Sequence, residues 1–184
     1  MWFISTEKEP QMKFSSPERA LKWAFETTSR PIVKISSVND MREASRAGQP
    51  TGTGELTVHD RHAQAALILA LCERVLPTLH MAYVRIQFGR EAAGSDILAY
   101  HLAANFGTGV HSRRSIDQII RAYCGERTGL HEIRKSLRCG MLKAVSLRNR
   151  AYDALDAIHA QAMDRLYMDM ESRGLLDTAA DAQR

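Results

Sequence analysis

Lys143, Ser146, Asn149 and Arg150 stand close together in a stretch with helical spacing, and their side chains suit the reading of base edges. Lysine and arginine donate to guanine O6 and N7, and asparagine pairs bidentately with adenine. Around them lie Arg113, Arg114, Arg134, Lys135, Arg138 and Arg148, whose charges suit phosphate contacts that orient a protein without specifying sequence. Between Arg113 and Arg150 there are ten Lys or Arg residues against three acids, Asp117, Glu126 and Glu132. That concentration fits an electrostatic footprint for a polyanion better than the modest net charge of +4 does. The plainer alternative for each cation is a solvated helix face, and Arg148 could also pair with Asp153.

The elements that would carry these residues follow from apolar spacing. Leu130, Ile133 and Leu137 have the three-to-four period of a short helix. Arg138-Cys139-Gly140 breaks the period, and Ala144, Leu147, Ala151 and Leu155 resume it over a much longer helix. Two helices joined by a tight turn, the second rich in Lys, Arg and Asn, make a helix-turn-helix pattern. Gly140 stands where a capping Ser or Thr is common, and Ala144 and Leu147 would face the supporting helix. The alternative is a helical hairpin with a purely structural role.

In this register the stretch resembles the DNA-binding region-4 domain of bacterial sigma factors, over about a sixth of the chain (residues 129–155). It departs from that pattern at Arg134, where a small residue usually packs, and at Arg138, where the turn usually has glycine. Ser16-Pro-Glu-Arg-Ala-Leu-Lys-Trp-Ala24, His62-Ala-Gln-Ala-Ala-Leu-Ile-Leu-Ala70, the basic hairpin and the long helix follow in that order. This organisation resembles phage or prophage late-gene antiterminators. The resemblance implies double-stranded DNA as one partner and RNA polymerase as a second.

The other periodic segments are helical too. Ser16-Pro17-Glu18 starts a helix by side-chain capping, a proline at the first helical position and an early acid. Ala20, Leu21, Ala24 and Phe25 form its apolar stripe, with Trp23 to one flank. Thr57 and Asp60 form a capping box before a run apolar on nearly every side, Ala63 to Leu76, which predicts a central helix covered by others. A helix from Thr78 to Phe88 stopped by Gly89, one begun by Ser95-Asp96 that buries Ile97, Leu98, Leu102 and Phe106, a glycine-interrupted loop at Asn105–Ser112, and a short helix begun by Ser115 with Ile116, Ile119, Ile120 and Tyr123 on its apolar stripe complete the set. The last helix spans about Met141 to Arg173, its stripe continuing through Ile158, Ala162, Leu166 and Met170 to a glycine terminator at Gly174. The expected fold class is all-α.

The expected organisation is an N-terminal arm, short helix and flexible loop (1–56), a helical core carrying the hairpin (57–176), and a frayed tail (177–184). Within the first part, Met1–Ser15 has no period, Ile32–Ile35 suits an extended crossing, and Ser36–Glu55 is rich in turn residues. The long helix could pack back over Ala63–Leu76 or pair beyond Leu155 with a second copy, giving a homodimer on a two-fold site.

Other chemistries find little support. His59 and His62 lack third and fourth ligands, and Cys72, Cys124 and Cys139 have no zinc spacing, so no metal is expected. Gly107-Thr-Gly109 has neither a preceding strand nor a following Gly-Lys-Ser/Thr, and no nucleophile, base and orienter are arranged together, so neither a cofactor nor enzymatic activity is expected. No run is apolar enough to span a bilayer. An odd cysteine number without a secretion signal suggests a reduced, cytoplasmic compartment. Transcription control through sequence-specific DNA binding is the expectation. A helical adaptor that binds protein and never nucleic acid is the reading from another class.

Overall fold

A computed structural model describes residues 12–30, 57–106 and 113–177. Seven helices lie among them: α1 (Pro17–Ser29), α2 (Val58–Val75), α3 (Thr78–Gln87), α4 (Ser95–Phe106), α5 (Arg113–Tyr123), α6 (Leu130–Leu137) and α7 (Met141–Ser172). The described residues contain no strand beyond one isolated bridge, so the fold is all-α. Ser16 caps α1 by accepting from the Arg19 N–H, with Pro17 at the first helical position. Thr57 and Asp60 make the full reciprocal capping box of α2, each satisfying a backbone donor of the other.

The long helix follows the sequence pattern closely. Ala144, Leu147, Ala151, Leu155, Ile158, Ala162, Leu166 and Met170 are all buried. At about 1.5 Å per residue α7 runs nearly 50 Å, and it touches all six other helices. Gly174, at φ +69°, ends it in the left-handed conformation that glycine tolerates best.

The central helix is α3, not the one the apolar run predicts. Five consecutive residues, His80, Met81, Ala82, Tyr83 and Val84, are buried, which is more than one full turn and therefore every side of the helix. It lies between α7 and α4. The Ala63–Leu76 run instead packs chiefly on α1, and α7 packs far more extensively on α3 than on α2. Only Ala65, Ile68, Leu71 and Cys72 of α2 are buried, while Leu67 is 70% exposed. Alanines on the outer side made the run look apolar all round, yet they bring little area to a core. Ile97 is likewise displaced from expectation: α4 buries Leu98, Ala99, Leu102 and Phe106, and Ile97 falls beside that stripe at 38% exposure.

Two close approaches fix the ends. The loop into α4 passes α3 so tightly that a Cβ on Gly94, already at φ +94°, would lie 2.8 Å from the Ala82 Cβ. Phe14, within the segment expected to be an aperiodic arm, is buried. Its N–H donates to Leu175 O at 2.9 Å, its carbonyl accepts from the Asp177 N–H at 2.8 Å, and its ring sits 5.3 Å from Trp23. The extended segment expected at Ile32–Ile35, the loop at Ser36–Glu55, most of the one at Asn105–Ser112 and nearly all of the frayed tail lie outside the described residues. No described helix is long and apolar enough to cross a membrane.

Candidate nucleic-acid interface

The hairpin has the expected boundaries. Ile133 and Leu137 of α6 are buried, as are Ala144 and Leu147 of α7, and the two helices pack together. Arg134 is half-buried rather than enclosed, so its charge does not have to fit between the helices. Gly140 is the N-cap of α7, with no side-chain cap bond.

The turn is closed by backbone groups. The Arg138 N–H donates to Lys135 O at 3.3 Å and the Cys139 N–H to Arg134 O at 3.4 Å, the paired pattern of a Schellman motif. Arg138 supplies its left-handed residue, at φ +48° and ψ +43°. A side chain at that position costs about 1–2 kcal/mol relative to right-handed geometry. Arg138→Gly is therefore expected to raise stability by about 0.5–1 kcal/mol in urea unfolding. An unchanged or lower midpoint would show that this backbone carries no such cost.

α5 is held against the hairpin at both ends. It begins at Arg113 rather than Ser115, which is buried in its first turn. Ser115 Oγ donates to Ser136 O at 3.0 Å and lies 2.8 Å from Ser136 Oγ. At the other end the Tyr123 hydroxyl donates to Asp156 Oδ1 at 2.6 Å, and the Tyr123 ring meets Tyr152 edge-on at 5.2 Å. Tyr123 is thus half-buried with its hydroxyl engaged, not simply part of an apolar stripe. Burial, followed by the bond to Asp156, drives its pKa well above the ordinary tyrosine range.

Two of the three acids of this segment are engaged by one arginine. Arg121 is 2.9 Å from Asp117 and 3.8 Å from Glu126. The Ser115–Ser136 contact brings the backbone at Arg113 and Arg114 beside the end of α6, next to Lys135 and the Arg138 turn.

Among the expected phosphate contacts, Arg114, Lys135 and Arg138 are exposed. Arg113 is exposed but ion-paired with Asp96. Arg148 does not pair with Asp153. Its Nε and Nη2 donate to Asn149 Oδ1 at 3.3 and 3.2 Å, and its guanidinium lies 5.7 Å from the Tyr152 ring centre. The expected base readers Lys143, Ser146, Asn149 and Arg150 are all exposed on α7. Arg150 lies 5.9 Å from the Phe106 ring centre, an aromatic support that residue spacing did not suggest.

Sequence reasoning passed over Leu142, which is 88% exposed in the first turn of α7. Its signal was its place between two buried-stripe positions, outside the apolar period. No group of three or more His, Cys, Asp or Glu residues able to hold a metal occurs among the described residues. Burial pushes the Cys72 thiol up to about 12 and the Cys124 thiol up to about 11, so both are neutral and poorly nucleophilic near neutral pH.

No protein-family model matches this chain, and neither does any curated protein sequence.

Proposed function

We propose that the chain is a sequence-specific DNA-binding regulator of transcription, of the phage antiterminator kind, that places the start of α7 in the major groove. The supporting observation is the Ser115–Ser136 contact, which brings exposed Arg114, next to the Asp96-paired Arg113, beside a basic helical hairpin. In this reading Lys143, Ser146, Asn149 and Arg150 meet base edges. Arg114, Lys135 and Arg138 hold the phosphates, and Arg113, Arg134 and Arg148 contribute less because of their pairing or partial burial. RNA polymerase would be the second partner and would meet a different face.

Duplexes enriched from a randomised library by the full chain test the proposal. Arg150→Ala is expected to relax preference at one position of the enriched site, at a cost of about 1–3 kcal/mol. Failure of the wild-type chain to enrich any sequence would sink the reading.

The adaptor reading draws on exposed Leu67, Tyr100 and Met168, large apolar side chains open to solvent on α2, α4 and α7. It requires salt-insensitive association with a protein and no retention on duplex DNA.

A further inference from the structure

The polar side chains of the α7 surface leave one neighbour without a role. Leu142 is 88% exposed, the most exposed of the large apolar side chains among the described residues. It precedes Ser146 by four residues and Asn149 by seven, so all three share one face of the helix. That face is opposite the Ala144, Leu147 and Ala151 stripe that packs into the core. Isolated surface leucines need no explanation in general. Leu142 differs in its setting, on the same face as two expected base readers and with exposed Lys143 and Arg138 close in the chain.

Charge identifies what such a face accepts. Lys and Arg outnumber Asp and Glu ten to three between Arg113 and Arg150, and Arg121 already engages two of those acids. A polyanion fits this surround, and duplex DNA presents an apolar group inside its major groove, the C5-methyl of thymine. We propose that Leu142 is a specificity-determining residue that packs on a thymine methyl in the bound site. The inference rests on the DNA-binding reading above and adds a thymine requirement that polar contacts alone would not impose.

The test removes the two partners separately and together. Duplexes enriched by the wild-type chain are remade with uracil replacing each thymine in turn, which deletes only the methyl group. Binding is then measured for wild type, Leu142→Ala and Leu142→Met. At one thymine the wild type is expected to bind the uracil duplex roughly fourfold more weakly, the size of one buried methyl group. Leu142→Ala should bind both duplexes equally, while Leu142→Met, still apolar, should keep part of the discrimination. Because Leu142 is exposed, both variants should melt like wild type, and a lowered melting temperature would count against the exposed placement on which the inference stands.

The inference is overturned if no uracil replacement weakens the wild type, or if Leu142→Ala loses as much as wild type at the same position. In either case a retained effect of Arg150→Ala would leave the DNA-binding reading standing. If the wild-type chain enriches no duplex at all, both fall together.

Discussion

Replacing Arg114, Lys135 and Arg138 together with glutamine is expected to flatten the salt dependence of DNA binding while leaving the preferred sequence unchanged. Each phosphate neutralised by a protein cation contributes about 0.9 to the slope of log affinity against log salt, so three lost contacts make it shallower by about 2.7. Between 50 and 200 mM salt the wild type should therefore lose roughly fortyfold more affinity than the variant. The three residues are exposed, and their backbone lies around the Ser115–Ser136 contact. Arg113 is omitted because Asp96 already pairs with it. Fluorescence anisotropy with an enriched duplex across a salt series measures both slopes. Equal slopes would remove these side chains from the phosphate contacts, and a changed sequence preference would mean that they read bases instead. The substitutions lie outside the packed core, so comparable melting of the two proteins should accompany the change.

The second large effect concerns stability. Leu155 is fully buried on the α7 stripe, and Leu155→Ala is expected to cost about 2–5 kcal/mol in urea unfolding, from lost burial plus the cavity left behind. For a chain of this size that corresponds to a fall in melting temperature of roughly 5–15 °C. Leu67→Ala, in the run whose pattern promised a central helix, should change stability by no more than about 0.5 kcal/mol because the side chain already faces solvent. The contrast is more informative than either value alone. Similar losses at the two positions would mean that α2 is covered and that α3 is not the centre. A small loss at Leu155 would mean that α7 is not the spine of the core.

Much of the local structure was legible in the sequence, because capping and helix periodicity depend on neighbours a few residues away. Ser16, Thr57 with Asp60, and Gly174 mark helix ends through hydrogen bonds and backbone angles contained within one turn. The α7 stripe from Ala144 to Met170 could be read for the same reason, since three- and four-residue steps keep one face inward over the whole helix. The boundaries of the hairpin also came through, at Leu137 and Met141. The unusual Arg138 was visible as a departure at the turn, but not that it would bear the left-handed backbone angles.

Tertiary structure alone decided which helix lies in the middle. Apolar composition reports what a segment can bury, and an alanine-rich helix such as α2 offers little area on its outer side. Five consecutive residues of α3, Tyr83 among them, are enclosed instead, so the core closes there. Packing between distant segments also turned a set of separate cations into a candidate surface. Nothing in the spacing of Ser115 and Ser136 announces their contact, nor that Asp96 takes Arg113. Those pairings depend on how α4, α5 and α6 meet in space. The sequence by itself determined the helices, their ends and the concentration of positive charge. The packing determined the central helix and the cations that remain exposed at the turn, because each depends on which surfaces the other helices cover.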